Sequence, residues 1–176
     1  MIHISNEQAL VRIDKDLIRA AVGQVLSDAG WSAGTRSRTR KAGTSTPGSR
    51  RLQAEISVAI VDDAAIRPIN ARYLGHDYAT DVLSFVLEEE PALEGEIVAS
   101  AETAVRVAGE LGWPAEHELL LYIIHGALHL VGFDDSTPEQ QAVMRAAERE
   151  VLAKLGLNPP EEKAKGKRKK EKGESE

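Results

Sequence analysis

The sequence predicts an α+β fold: a small mixed sheet of about four strands packed with about five helices. Strand-like segments rich in β-branched residues fall before residue 100, and helical periodicity dominates after it. At 176 residues the chain has the length of one domain with appendages, and 42% hydrophobic residues suffice for a real core. The expected domain is residues 1–156, with a flexible basic insertion at 32–51 and a disordered charged tail at 157–176.

Residues 2–12 read as a short strand. From Asp14 to Ala29 the apolar residues Leu17, Ile18, Ala21, Val22, Val25 and Leu26 recur at helical spacing, and Gly30 stops that helix. Residues 32–49 have no periodicity and almost no apolar side chain, which predicts a mobile insertion. Ala54–Val61 alternates as a half-buried strand does. Asp62 and Asp63 follow it, placed either to cap the next helix, Ala64–Ala71, or to ligate a metal.

After a turn at Gly75 come two more strand candidates, Asp81–Leu87 and Gly95–Ala99. Ser100–Leu111 reads as helix, and Pro114 opens another over Ala115–Leu130, which Gly132 ends. Thr137, Pro138 and Gln140 form a helix-start signature for a last helix reaching about Leu155, stopped by Gly156.

Charge and cysteine usage narrow the chemistry. The net charge is −6, but the stretch from Trp31 to Ala54 carries Arg36, Arg38, Arg40, Lys41, Arg50 and Arg51 with no acid. Such a segment suits a polyanion, or is a solvated loop. The tail is a solubilising end of mixed charge. No run approaches the ~18 apolar residues of a membrane span, and the N-terminus has neither the basic start nor the apolar stretch of a signal peptide. The expectation is a cytoplasmic protein without a membrane partner. With no cysteine, disulfides, iron–sulfur clusters and thiol catalysis are excluded, and any metal must sit on His, Asp or Glu.

His125 and His129 stand at i and i+4 late in a strongly apolar helix, so they share a face and can share a metal ion. The bland alternative is two satisfied histidines on a half-buried face. Gly132 lets the chain fold back, bringing Asp134 or Asp135 within reach as a third, oxygen ligand. Three protein ligands with an open position are the arrangement of a catalytic zinc. Gly126 stands where zinc peptidases of the HExxH type carry their Glu base, which argues against that class.

The segment from His125 to Asp135, His-Gly-Ala-Leu-His-Leu-Val-Gly-Phe-Asp-Asp, resembles the signature of the YbeY-type family of metal-dependent endoribonucleases. Asn70–Phe85, Gly95–Ile97, and Met144 with Glu148 are similar to further blocks of that family in the same order. The resemblance spans about Ile56–Leu155. It implies a zinc-dependent endoribonuclease acting on RNA in ribosomal RNA maturation and ribosome quality control, with the small ribosomal subunit as a partner and one Zn²⁺ per chain. His125, His129 and Asp135 fall on its three ligand positions, the third of which is most often His, and Asp134 falls on a supporting position. Leu74 stands where the family commonly has an Arg that engages RNA, and Arg72 is not an automatic replacement.

Other residues read more plainly. Asp81 and Ser84 suit turn and backbone hydrogen bonds, His76 and His117 the surface, Trp31 and Trp113 packing, and Glu88–Glu90 a solvated strand end. Two rival functions stay open: a ribosome-assembly binding factor with a structural metal and little or no catalysis, and a metal hydrolase for another phosphoester or an amide.

Overall fold

A computed structural model describes residues 1–33 and 52–160. Its elements are β1 (Ile2–Asn6), α1 (Lys15–Asp28), β2 (Trp31–Ala33), β3 (Leu52–Val61), α2 (Asp63–Leu74), β4 (Val82–Glu88), β5 (Ala92–Ser100), α3 (Ala101–Leu111), α4 (Ala115–Leu130) and α5 (Pro138–Lys154). This is the mixed α+β architecture expected, with five strands in one sheet. The basic insertion from residue 34 to 51 and the tail from 161 lie outside the described residues.

The sheet order is β1-β3-β5-β4. β1 and β5 run parallel to β3, with Ile4 opposite Val58 and Val58 opposite Ile97, while β4 runs antiparallel to β5. β2 lies along the same side of β3 as β1, pairing Trp31–Ala33 with Leu52–Ala54. That strand corrects the expectation that residues 32 and 33 belong to the insertion. Three residues are too short for a period to show, and their partner lies across the insertion. The expected disordered tail also begins too early, because Leu157 packs on the core and its N–H donates to Leu152 O at 2.9 Å.

Helix starts follow local chemistry. Asp14 accepts from the N–H groups of Asp16 and Leu17, Asp62 from Ala65 and Ser100 from Thr103, while Thr137 and Gln140 form a reciprocal capping box. Gly75 ends α2 at φ +73°, a left-handed conformation that costs glycine little.

Alternation along β3 sends Ile56, Val58 and Ile60 to a core shared with Val22, Val25 and Leu26 of α1 and Ile123 and Ile124 of α4. Each such side chain contributes about 1.5–3 kcal/mol when fully buried. On the other face α2 covers a smaller cluster of Val61, Ile66, Leu83 and Val98. Helix α4 is buried nearly all round. At Gly126 a Cβ would come within 3.0 Å of Ile97 Cγ2 and 3.1 Å of Val82 Cγ2, so glycine is what lets α4 lie this close to β5 and β4. The close approach at Gly126 sets the height above the sheet of the helical turn that carries His125.

Candidate metal centre

The C-terminal half of α4 builds the site. His125 and His129 are one helical turn apart on a face where both are only half-buried, while their neighbours Ile124, Ala127 and Leu128 enter the core. Their rings meet edge to face with centroids 4.6 Å apart. After Leu130 the chain reverses at Gly132, whose φ of +95° strains any residue with a side chain. The turn is closed by Gly132 N–H on His129 O at 3.0 Å and Phe133 N–H on Leu128 O at 3.0 Å.

The reversal returns Asp135 to the histidines. Its Oδ1 lies 3.8 Å from His129 Nε2 and its Oδ2 4.0 Å from His125 Nε2. The two Nε2 atoms are 3.0 Å apart. Among the described residues, His125, His129 and Asp135 thus form a group that can hold a metal ion, their ligand atoms all within 4.8 Å of one another. Zinc bonds of about 2.0–2.1 Å at tetrahedral angles would place donors roughly 3.3–3.4 Å apart, and the observed separations straddle that value.

Each histidine also has its far nitrogen committed. His129 Nδ1 is 3.0 Å from the carbonyl of Phe133, which only accepts, so this nitrogen carries the proton. His125 Nδ1 is 2.7 Å from Glu148 Oε1 on α5. With Nδ1–H donating in both rings, two Nε2 lone pairs confront each other at 3.0 Å, and a shared proton or a metal cation resolves that repulsion. The donor set therefore fits a divalent metal of borderline character.

Asp134 is placed differently from Asp135. Its Oδ1 accepts from the N–H of Asp135 and the hydroxyl of Ser136, both at 2.8 Å, and its Oδ2 from Gln140 Nε2 at 3.3 Å. The Ser136 hydroxyl first, then the Asp135 N–H, hold its carboxyl below the usual carboxylate range. Gln141 Nε2 donates to Asp135 O at 2.9 Å, so α5 braces the loop that carries Asp135.

The remaining candidates lie elsewhere. Asp62 caps α2, and Asp63 accepts from the hydroxyls of Ser100 and Thr103, so both serve the α2 and α3 starts. Asp81 accepts from Val82 N–H and the Thr80 hydroxyl, and Ser84 is half-buried on β4. Leu74 is 55% exposed, and Arg72 lies over Tyr73 at 5.4 Å from the ring centroid. His76 is exposed and stacks on Tyr78, while His117 meets the edge of Trp113, whose Nε1–H donates to Glu118. Trp31 packs on the core, and Glu88 closes the β4–β5 pairing opposite Glu94.

Sequence reasoning placed Glu148 on the last helix but gave it no contact with the site. The signal that finds it is its spacing: it stands in the buried stripe of Met144, Val151 and Leu152, where a carboxylate needs a partner.

Fold and site define an α+β protein with a candidate metal centre of two histidines and one carboxylate. The sequence model of the family described as Endoribonuclease YbeY matches residues 3–156. This chain belongs to the YbeY endoribonuclease family. It is 50% identical over 111 residues to the Endoribonuclease YbeY of Rhodopirellula baltica, covering 61% of this chain and 57% of that protein. With that of Syntrophotalea carbinolica it shares 34% identity over 163 residues, 88% of this chain and 95% of the relative. A solution structure from Thermotoga maritima is similar with a TM-score of 0.54 at 26% identity, over 96% of this chain and all of that one. No described helix is long and apolar enough to cross a membrane.

Proposed function

We propose that this chain is a zinc-dependent endoribonuclease that hydrolyses RNA phosphodiester bonds in the cytoplasm, in ribosomal RNA maturation and ribosome quality control at the small ribosomal subunit. The observation that carries this reading is the convergence of His125 Nε2, His129 Nε2 and the Asp135 carboxylate on a half-buried face of α4, in a member of an endoribonuclease family.

In this reading His125, His129 and Asp135 hold one Zn²⁺. When bound, the ion supplies Lewis acidity toward water and phosphate oxygen. Asp135 brings one negative charge, which tempers that acidity relative to an all-histidine set. The Phe133 carbonyl and Glu148 orient the two imidazoles, and Asp134, held by Ser136 and Gln140, keeps the loop of Asp135 in place. No arginine stands at position 74, so contact with the phosphate falls to other basic residues of the chain.

A second reading, a ribosome-assembly binding factor with a structural metal, is favoured by the apolar surface around that position. Tyr73 and Leu74 are 59% and 55% exposed, and the Tyr73 ring lies 5.1 Å from that of Phe85.

The deciding experiment assays RNA cleavage by wild type and His129→Ala, purified in parallel without a metal-affinity tag. The enzyme reading expects cleavage abolished by a chelator, restored by zinc, and lowered at least about a hundredfold in the variant. Equal, chelator-sensitive cleavage by both would sink it. Small-subunit association that survives His129→Ala, with no cleavage by wild type, selects the binding factor.

A further inference from the structure

We infer that Glu148 is a positioning residue for the metal centre, fixing which nitrogen of His125 faces the ion and strengthening it as a donor. The inference rests on the metal reading above and concerns a residue that touches neither metal nor substrate.

The two histidines are held by unlike partners. His129 Nδ1 leans on the backbone carbonyl of Phe133, a group set by the turn after α4. His125 Nδ1 depends on a side chain from another helix, 23 residues further on, at 2.7 Å. A carboxylate only accepts, so the contact makes Nδ1 the donor and leaves Nε2 as a lone pair pointing toward His129 and Asp135.

Burial gives this contact its strength. The side chains of His125 and Glu148 are only 15% and 11% exposed, so water screens the carboxylate weakly. Its charge pulls on the Nδ1 proton, which raises electron density at Nε2 and with it the affinity for a cation. Together Asp135 and Glu148 place two negative charges about the site, matching a divalent ion when both imidazoles are neutral, as ligands must be.

The position is built for it. Met144, one turn before Glu148, is buried, as are Val151 and Leu152 after it. The capping box at Thr137 fixes the start of the same helix, and Gln140 and Gln141 tie it to Asp134 and Asp135. One helix therefore sets both His125 and the carboxylate loop. A carboxylate in that apolar stripe serves packing poorly, and His125 accounts for its presence.

The test compares wild type, Glu148→Gln and Glu148→Ala. Zinc affinity is read by competition with a chromophoric chelator, and the His125 tautomer by nitrogen-15 NMR on metal-free protein. Circular dichroism confirms that each variant is folded, and Glu148→Gln, nearly isosteric, covers the case in which the alanine variant does not fold. The expected result is a 10–100-fold loss of zinc affinity in Glu148→Ala. A smaller loss is expected in Glu148→Gln, whose amide oxygen still accepts from Nδ1–H but carries no charge. The tautomer should be Nδ1–H in wild type and mixed in Glu148→Ala. Zinc affinity within twofold of wild type in both folded variants, or an unchanged tautomer in Glu148→Ala, overturns the inference. A wild-type chain that binds no zinc but shows the tautomer change removes the metal reading instead, and confines Glu148 to orienting the ring.

Discussion

His125 and His129 turn their Nε2 atoms toward each other at 3.0 Å, while the Nδ1 atoms are hydrogen-bonded to separate oxygens, those of Glu148 and Phe133. Two lone pairs at that distance repel, so the folded site gains from a cation between them. Zinc at a hundredfold excess over Kd should therefore stabilise the fold by about 2.7 kcal/mol. For a domain of this size that is an upward shift in Tm of roughly 5–10 °C in calorimetry. Asp135→Ala should lose most of the shift, since it removes the proposed third ligand. A Tm equally responsive to zinc in wild type and in the His125→Ala, His129→Ala double variant would place the binding elsewhere.

The Arg67–Asp77 pair supplies a pH dependence away from the site. Arg67 Nε meets Asp77 Oδ1 at 2.8 Å and its NH2 nitrogen meets Oδ2 at 2.9 Å, joining α2 to the segment before β4. The guanidinium's hydrogen bonds and then its charge hold the Asp77 carboxyl below the usual carboxylate range. A native pKa below the unfolded one means the stabilisation is complete above the ordinary Asp value of about 3.9 and is lost as pH falls through the native one. Both groups are exposed at the surface, so the effect is small and salt-sensitive. Carbon-13 NMR titration of Asp77 should show the lowered midpoint, and Arg67→Ala should return it to the ordinary range.

What the sequence made legible was local. Asp14, Ser100 and Thr137 mark helix starts because a cap acts within three residues, and Gly75 and Gly132 mark turns because only their own φ is at stake. The His125/His129 pair was readable for the same reason, one helical turn being its whole geometry. β2 was not, because its three residues acquire meaning only beside Leu52–Ala54. The link between Glu148 and His125 escaped for a similar reason. It depends on how α5 packs against α4, and no pattern within either helix states that crossing. The choice between Asp134 and Asp135 as third ligand lay between these extremes. A fold-back was foreseeable from Gly132, but which carboxylate turns inward depends on Ser136 and Gln140 capturing Asp134.

Thr137→Ala tests how far α5 governs the site. The hydroxyl accepts from Gln140 N–H at 3.2 Å, and Gln140 Oε1 accepts from Thr137 N–H at 2.9 Å. Losing the cap should cost about 1 kcal/mol in urea denaturation. Gln140 also holds Asp134, so fraying this end loosens the Asp135 loop. Zinc affinity should accordingly fall by a few-fold, whereas Asp14→Ala, at the cap of α1, should cost similar stability and leave zinc affinity unchanged. Equal effects on zinc from the two caps would show that α5 has no special hold on the site.

Two glycine-to-alanine changes in helices should move stability in opposite directions. At Gly126 the new methyl meets Ile97 Cγ2 at 3.0 Å and Val82 Cγ2 at 3.1 Å. Both are β-branched and sit on strands, so neither swings aside easily, and α4 must back away from the sheet. Overpacking of this kind costs about 1–3 kcal/mol, offset by about 1 kcal/mol of better helix propensity. The net loss in chemical denaturation should be on the order of 1 kcal/mol. Gly109, inside α3, has no atom within 4 Å of where a Cβ would stand. Gly109→Ala should therefore stabilise by about 0.5–1 kcal/mol, since it restricts the unfolded chain and meets nothing in the folded one. Stabilisation by both substitutions would mean that α4 is free to shift on the sheet, and His125 with it.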